Sequence, residues 1–330
     1  MCATGGRRMA HAIGGAGTNA GTPRRDSAWR LAMTHITRRD LAMLATTALM
    51  ARTALAQSNE APSIIRAIPR TGERIPAVGL GTAYGFDRND EQTRRAATLV
   101  VRTLIESGGQ LIDTASTYGD AESVLGSMIG NEGFRDKLFI ATKLEAPDAA
   151  ELKRSLSRLK TAKLDLLQLH NVRNRRQSLA QFKAWKAQGV CRYVGVTSTF
   201  HGDFRAMEAV IAREQPDFVQ IDYSLGDREA HKRILPLAAE IKAGVLTAQP
   251  FGSGRLFRAV RGRTVPDWAK DFASSWAQFF LKYLLGDERV TAVIPGTSDP
   301  AHMADNLGAM RGRLPDPDQR NRMVAFLDNL

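Results

Sequence analysis

The sequence predicts an α/β fold: a (β/α)8 TIM barrel with an N-terminal β-hairpin, preceded by a leader that is not part of the barrel. Three observations predict it. From residue 78 onward, short apolar runs alternate with segments of helical period, and eight such units in about 250 residues match a closed barrel. The runs are apolar throughout rather than at alternate positions, as strands covered on both faces should be. A doubly wound sheet would also alternate strands and helices, but it asks for a GxGxxG turn after the first strand. Gly79-Leu80-Gly81-Thr82 supplies only a fragment of that turn.

The chain divides into three stretches. Residues 1–32 are rich in Gly, Ala, Thr and Arg without any period, and read as disordered or as translation upstream of the true start, which would make Met33 the initiator. Residues 33–56 carry Arg38-Arg39, a mild apolar run over 41–51, and Ala54-Leu55-Ala56. A basic region, an apolar region and a small-x-small site define a secretory signal, and the paired arginines resemble a twin-arginine signal. The expectation is cleavage after Ala56 by way of the export machinery, and a periplasmic protein; a relic leader on a cytoplasmic protein is the alternative. A frayed amphipathic helix is the plainer reading of the same residues. The apolar run is too short for a stable membrane span, which needs ~20 apolar residues.

Residues 57–330 form the barrel. Runs 64–68 and 74–76 flank the turn-rich Arg70-Thr71-Gly72-Glu73 and read as a hairpin suited to plug the barrel floor. The expected barrel strands are 78–82, 111–113, 138–142, 164–169, 193–196, 218–221, 245–248 and 292–294. Expected helices include 90–107, 148–159, 204–213, 231–241 and 272–285, with a last helix over 318–328 beyond the eighth unit, placed to cover one end of the barrel.

Composition sets limits on function. With 330 residues and 43% hydrophobic content the chain can bury a large core. Of the formal charge of +12, half lies in the leader, which leaves +6 for residues 57–330. No Arg/Lys stripe interleaved with aromatics is present, so nucleic acid is not an expected partner. The cysteines are Cys2 and Cys191; without the leader one remains, and no internal disulfide can form. Cys191 adjoins an apolar strand and reads as a small buried residue. No clustered His and carboxylate ligands point to a metal. No motif specifies the oligomeric state.

Three successive strands end in reactive side chains. Leu111-Ile112-Asp113 runs on through Thr114 to Tyr118 and Gly119; the run 138–142 delivers Lys143; Leu166-Leu167-Gln168-Leu169 delivers His170. Strand C-termini and the loops after them are where barrels hold their catalytic groups. Each residue alone has a dull reading: a rim ion pair, a loop aromatic, a satisfied core histidine. Together, in this order, they resemble the catalytic tetrad of the aldo-keto reductase family, and the resemblance runs from about residue 75 to 309. It implies NAD(P)H-dependent reduction of an aldehyde or ketone to an alcohol. Tyr118 would be the general acid, Lys143 would lower its pKa, Asp113 would hold Lys143, and His170 would orient the carbonyl.

The resemblance also implies a cofactor site. Thr82 ends the first strand. Thr197 and Ser198 stand where the family has a Ser-Asn pair on the nicotinamide carboxamide, so an amide is lost. Gln220 matches the family glutamine of the sixth strand. On the seventh, Ala248 replaces a tyrosine that stacks on the nicotinamide in many members; Gln249, Pro250 and Phe251 follow. Gly252-Ser253-Gly254-Arg255 reads equally as a pyrophosphate loop or as a plain turn. Thr297 and Ser298 would face the 2′-phosphate and Asn306 the adenine. Gly296 and His302 stand where many NADPH-specific members carry Lys and Arg. The family default is NADP(H) in preference to NAD(H). Substrate specificity would lie in loops 84–89, 171–177 and 200–204 and in the C-terminal tail. The alternative function is a non-catalytic nucleotide-sensing barrel that regulates a protein partner.

Overall fold

The computed structural model describes residues 63–330. The expectations for residues 1–32 and 33–56, including the site after Ala56, lie outside the described residues. The hairpin is present as β1 (Ile65–Ala67) and β2 (Arg74–Pro76), paired antiparallel with Arg66 opposite Ile75. Gly72 turns the chain at φ 76°, a conformation that costs glycine little. Ile68 and Ile75 leave the hairpin and pack with Leu111, Phe139, Leu166, Tyr193 and Phe218 in one buried cluster. The last five come from the N-terminal halves of barrel strands, so the hairpin does plug the floor. Thr71 bonds the Tyr193 hydroxyl at 3.0 Å, and Glu73 pairs with Arg192, fixing the plug at its edge.

The barrel strands are β3 (Leu80–Gly81), β4 (Leu111–Asp113), β5 (Phe139–Leu144), β6 (Leu164–Leu169), β7 (Cys191–Ser198), β8 (Phe218–Asp222), β9 (Gly244–Ala248) and β10 (Ala292–Val293). They pair in sequence order, all parallel. Parallel bridges Val78–Val293 and Gly81–Gly296 close the ring, with Gly79 N–H donating to the Val293 carbonyl at 2.8 Å. The expected strand 78–82 thus divides its pairing between two neighbours. Gly79 is required there, because a Cβ would sit 2.8 Å from the Leu111 carbonyl oxygen.

The helices are α1 (Glu91–Glu106), α2 (Ala121–Glu132), α3 (Ala149–Arg158), α4 (Ala180–Ala187), α5 (Phe204–Glu214), α6 (Glu229–Lys232), α7 (Ile234–Glu240), α8 (Arg255–Ala259), α9 (Trp276–Leu285), α10 (Pro300–Gly308) and α11 (Pro317–Asp328). Two differ from the sequence reading. The expected helix 231–241 breaks at Arg233 (φ −138°). Pro236 has no N–H to donate to the Lys232 carbonyl, and its ring crowds that carbonyl. The expected helix 272–285 begins only at Trp276, because the Ser275 side chain accepts from Gln278 N–H and caps it there. The last helix is capped by an Asp316/Gln319 capping box, and its Phe326 stacks on Trp276 of α9 at 5.8 Å.

Inside the barrel the side-chain period of two decides the site. Leu111, Phe139, Leu166 and Phe218 fill the floor. Two or four residues further along the same strands, the inward positions become Asp113, Lys143, Gln168 and Gln220, all buried. The interior is apolar below and polar above. No helix among the described residues is long and apolar enough to cross a membrane.

Candidate active site

The polar upper layer is one connected network. Lys143 Nζ donates to Asp113 Oδ2 at 2.6 Å and to the Thr114 carbonyl at 2.8 Å, and lies 3.4 Å from the Tyr118 hydroxyl. Gln220 Nε2 donates to Asp113 Oδ2 at 3.0 Å, and Gln168 Nε2 donates to Gln220 Oε1 at 2.8 Å. The parallel register sets Lys143 beside Gln168 and Gln168 beside Gly195. Gly195 makes the room: a Cβ there would lie 3.0 Å from Gln168 Cγ. Lys143 and Asp113 are 1% and 3% exposed, and a pair so dry persists only when its donors and acceptors are satisfied. Burial pulls the Lys143 pKa down, but the Asp113 carboxylate and the Tyr118 contact more than offset it, so the ammonium is retained.

Tyr118 departs from the sequence expectation in its electrostatics. Burial raises its pKa above 10, and the charge of Lys143 offsets this only in part, because Asp113 beside it pushes the other way. In this network Tyr118 is a firmly protonated phenol. His170 stands at the mouth with its ring edge-on to Tyr118 (centroids 5.8 Å). Burial, with Lys143 and Arg173 adding, holds its pKa down to about 3, so it is a neutral imidazole. Its Nδ1 lies 2.6 Å from Glu145 Oε1.

A cleft of about 800 Å³ opens over the network. It is lined by all four tetrad residues and, of the residues expected to hold a cofactor, by Thr82, Thr197, Gln220, Pro250, Phe251, Gly254 and Gly296. Others lie around it. Ser198 is buried and turned to Phe200 and Asp203. Gly252 sits in the loop after β9 and Arg255 begins α8; the N–H groups of Gly252, Gly254 and Arg255 donate to backbone carbonyls. An anion at this loop would therefore meet the Arg255 guanidinium and Ser253, not those three amides. Thr297 accepts from Asp299 N–H, and Ser298 is exposed. His302 is exposed on the first turns of α10, whose N-terminus Asp299 already caps. Asn306 is buried on the same helix.

The sequence reading missed Thr199, Phe257 and Ile294 as cleft residues, and Glu145 and Gln168 as supports, whereas Asn171 and Ser253, from loops it did single out, line the cleft. The signal for Gln168 was an amide inside a strand that is leucine apart from it and Asp165. The structure also gathers one His and carboxylate group that sequence spacing did not suggest. His201 follows β7, Asp222 ends β8 and Asp227 follows it, with ligand atoms within 4.8 Å of one another. Cys191 is buried and its thiol is pushed up to about 12 by burial, which leaves it inert.

Residues 77–326 match the model of the aldo/keto reductase family. The chain belongs to that family. It is 31% identical over 255 residues to the methylglyoxal reductase YeaE of Escherichia coli strain K12, covering 73% of this chain and 87% of that protein. It is 29% identical over 245 residues to an aldo-keto reductase of Mycobacterium avium strain 104, covering 71% of this chain and 80% of that one. Its fold matches a crystal structure of an aldo/keto reductase from Klebsiella pneumoniae in complex with NADP and acetate. The TM-score is 0.68 and the identity 24%, over 79% of this chain and 95% of the other. As a member of this family the protein is an oxidoreductase.

Proposed function

We propose that the protein reduces an aldehyde or ketone to an alcohol with Tyr118 as the proton donor, and that its cofactor is NADP(H) in preference to NAD(H). The observation that carries the reading is the Tyr118 hydroxyl 3.4 Å from the buried Lys143 ammonium at the mouth of the cleft. The cofactor preference is supported by the family relatives solved with NADP or NADPH. The cleft fits a nicotinamide nucleotide. The Thr197 hydroxyl accepts from Asn171 N–H and keeps its own proton for a carboxamide oxygen, Gln220 lines the same wall while bonded to Asp113 and Gln168, and Gly254 and Gly296 leave the wall open. When bound, the nicotinamide supplies the hydride. Besides Tyr118 and His170, aromatic surface in the cleft comes from Tyr84, Phe251 and Phe257 and not from position 248, where alanine stands.

The division of labour follows from the geometry. Lys143 and Asp113 form a neutral pair that keeps a strong donor beside Tyr118 without adding net charge to the cleft. As alkoxide character develops on the substrate oxygen, the phenol proton passes to it, and the nearby ammonium stabilises the tyrosinate left behind. His170 borders the same space and orients the carbonyl. The Gln168–Gln220 pair holds Asp113 from below. Incubating the protein with NADPH and a panel of 2-oxoaldehydes, simple aldehydes and ketones tests the reading. Consumption of NADPH with equimolar alcohol is expected; no consumption with any carbonyl would sink it.

We further propose export in folded form through the twin-arginine route with cleavage after Ala56, on the strength of Arg38-Arg39 and Ala54-Leu55-Ala56. Cell fractionation of the wild type and an Arg38→Lys/Arg39→Lys version tests it. Mature protein starting at Gln57 in the periplasm, lost in the double-Lys version, is expected. Full-length protein in the cytosol for both would overturn it.

A further inference from the structure

The 2.6 Å contact between His170 Nδ1 and Glu145 Oε1 constrains where the imidazole proton sits. Thr117 Oγ1 also reaches Nδ1, at 3.5 Å, but the carboxylate oxygen is far nearer, and a proton between Nδ1 and Oε1 is what relieves the repulsion of two facing lone pairs. If the pair holds a single proton, it is there, and His170 Nε2 is a bare acceptor. If the pair holds two, the second is on Nε2, whether the partner is written as carboxylate and imidazolium or as carboxylic acid and imidazole. A carbonyl oxygen accepts hydrogen bonds and donates none. Only the two-proton pair can therefore orient a carbonyl through Nε2; the one-proton pair suits an alcohol O–H instead.

We propose that Glu145 is a positioning residue that sets the protonation of His170 Nε2, and so makes carbonyl reduction depend on a second proton held by the Glu145–His170 pair. The inference rests on the reductase reading above. It stands on the register of two strands. Leu144 pairs with Leu169, which puts the next residues, Glu145 and His170, side by side at the rim. The groups that face the pair are Lys143 from β5, Glu151 from α3, Asn171 and Arg173 from the segment after β6, and Thr117 and Tyr118 from the segment after β4. Burial and the charge of Glu151 raise the Glu145 carboxyl above its ordinary range, against Arg173 and Asn171. Lys143 and Arg173 disfavour an imidazolium. The second proton is thus shared as carboxylic acid and neutral Nε2–H imidazole.

The test compares the wild type with Glu145→Met, which has similar length and no acceptor for Nδ1–H. For the wild type, kcat/KM of carbonyl reduction should fall tenfold per pH unit above the apparent pKa of the pair, well below the range where Tyr118 itself ionises. In Glu145→Met the imidazole is free to carry its one proton on Nε2, so this limb should vanish and the variant should overtake the wild type on the alkaline side. Superimposed profiles, or a uniform loss at every pH, would overturn the proposal. A second readout needs no turnover. In ¹⁵N-histidine-labelled protein with NADP⁺ bound, the His170 signal, assigned from a His170→Asn sample, should show the Nδ1–H tautomer at alkaline pH in the wild type and Nε2–H in Glu145→Met. Nε2–H in both would overturn the proposal. The expected tautomers in a protein that reduces no carbonyl would leave it standing and refute the reductase reading instead.

Discussion

Asp113→Asn probes the pair on which the site is built. The substitution keeps the shape of the side chain and removes its charge. Asp113 accepts from Lys143 at 2.6 Å and from Gln220 at 3.0 Å, both on Oδ2. An asparagine must present its NH2 to one of these donors or to Gln168. The ammonium of Lys143, 1% exposed, is then stranded without its counter-ion. Breaking a buried pair on one side costs about 3–5 kcal/mol, a large part of the ~5–15 kcal/mol that holds a typical domain folded. The penalty has a pH signature. In the variant, burial depresses the Lys143 pKa below the unfolded value of about 10.4, so the unfolded chain binds more protons and stability rises with pH in that window. In the wild type the folded Lys143 pKa is raised, so its contribution is fully present below the unfolded pKa and is lost only above it. Urea denaturation at neutral and at alkaline pH measures both. The Asp113→Asn/Lys143→Met double variant carries no stranded charge and should recover more than half of the loss. If the single variant lies within about 0.5 kcal/mol of the wild type at neutral pH, an ordinary surface effect, the account of a dry, mutually dependent pair is refuted. A double variant no more stable than the single would refute it as well.

Three further outcomes are expected. Gly126→Ala should destabilise by more than the ~1–3 kcal/mol typical of overpacking, because the new Cβ would fall 1.8 Å from the Arg158 carbonyl oxygen, a backbone atom that cannot turn aside; a melting temperature equal to the wild type's would contradict this. Asp222 is raised to about 6 by burial, with Asp227 adding. Its stabilising contribution is present below about 3.8 and is lost as pH rises through 6, at most about 3 kcal/mol, so Asp222→Asn should flatten the stability profile between those values; an unchanged profile counts against it. His302→Arg places a guanidinium on the first turns of α10, where His302 lies 3.9 Å from Asp299, and should tighten NADPH binding relative to NADH, by less than ~1.5–3 kcal/mol because the position is exposed and Asp299 competes for the charge; a fluorescence titration giving an unchanged ratio means that this loop does not hold the 2′-phosphate.

Much of this was legible in the chain because barrels write their chemistry at strand ends. The apolar runs located the strands, and the residue that ends each run, Asp113, Lys143 or His170, faces the cleft. Local chemistry that competes with period was harder to see. Ser275 and Pro236 each moved a helix boundary by capping or by a missing N–H. Inter-strand register was invisible, and with it the contact of Glu145 with His170. Electrostatic direction was also beyond the sequence. Lys143 beside Tyr118 suggested a lowered phenol pKa, whereas burial and the neutralising Asp113 reverse the sign. Gln168 carried a readable signal as an amide in a strand covered on both faces, but not the face it takes, since Asp165 of the same strand pairs with Arg135 and Arg192 instead.

The central claim is that Tyr118 delivers the proton, and Tyr118→Phe tests it most directly. The substitution removes the hydroxyl 3.4 Å from Lys143 and keeps the ring. With a carbonyl that the wild type reduces, single-turnover hydride transfer from NADPH should slow by about 10²–10⁴-fold, the usual worth of general acid–base assistance. The NADPH dissociation constant from fluorescence titration should stay where it was. Hydride transfer at near the wild-type rate would contradict the claim and move the proton donor elsewhere in the cleft.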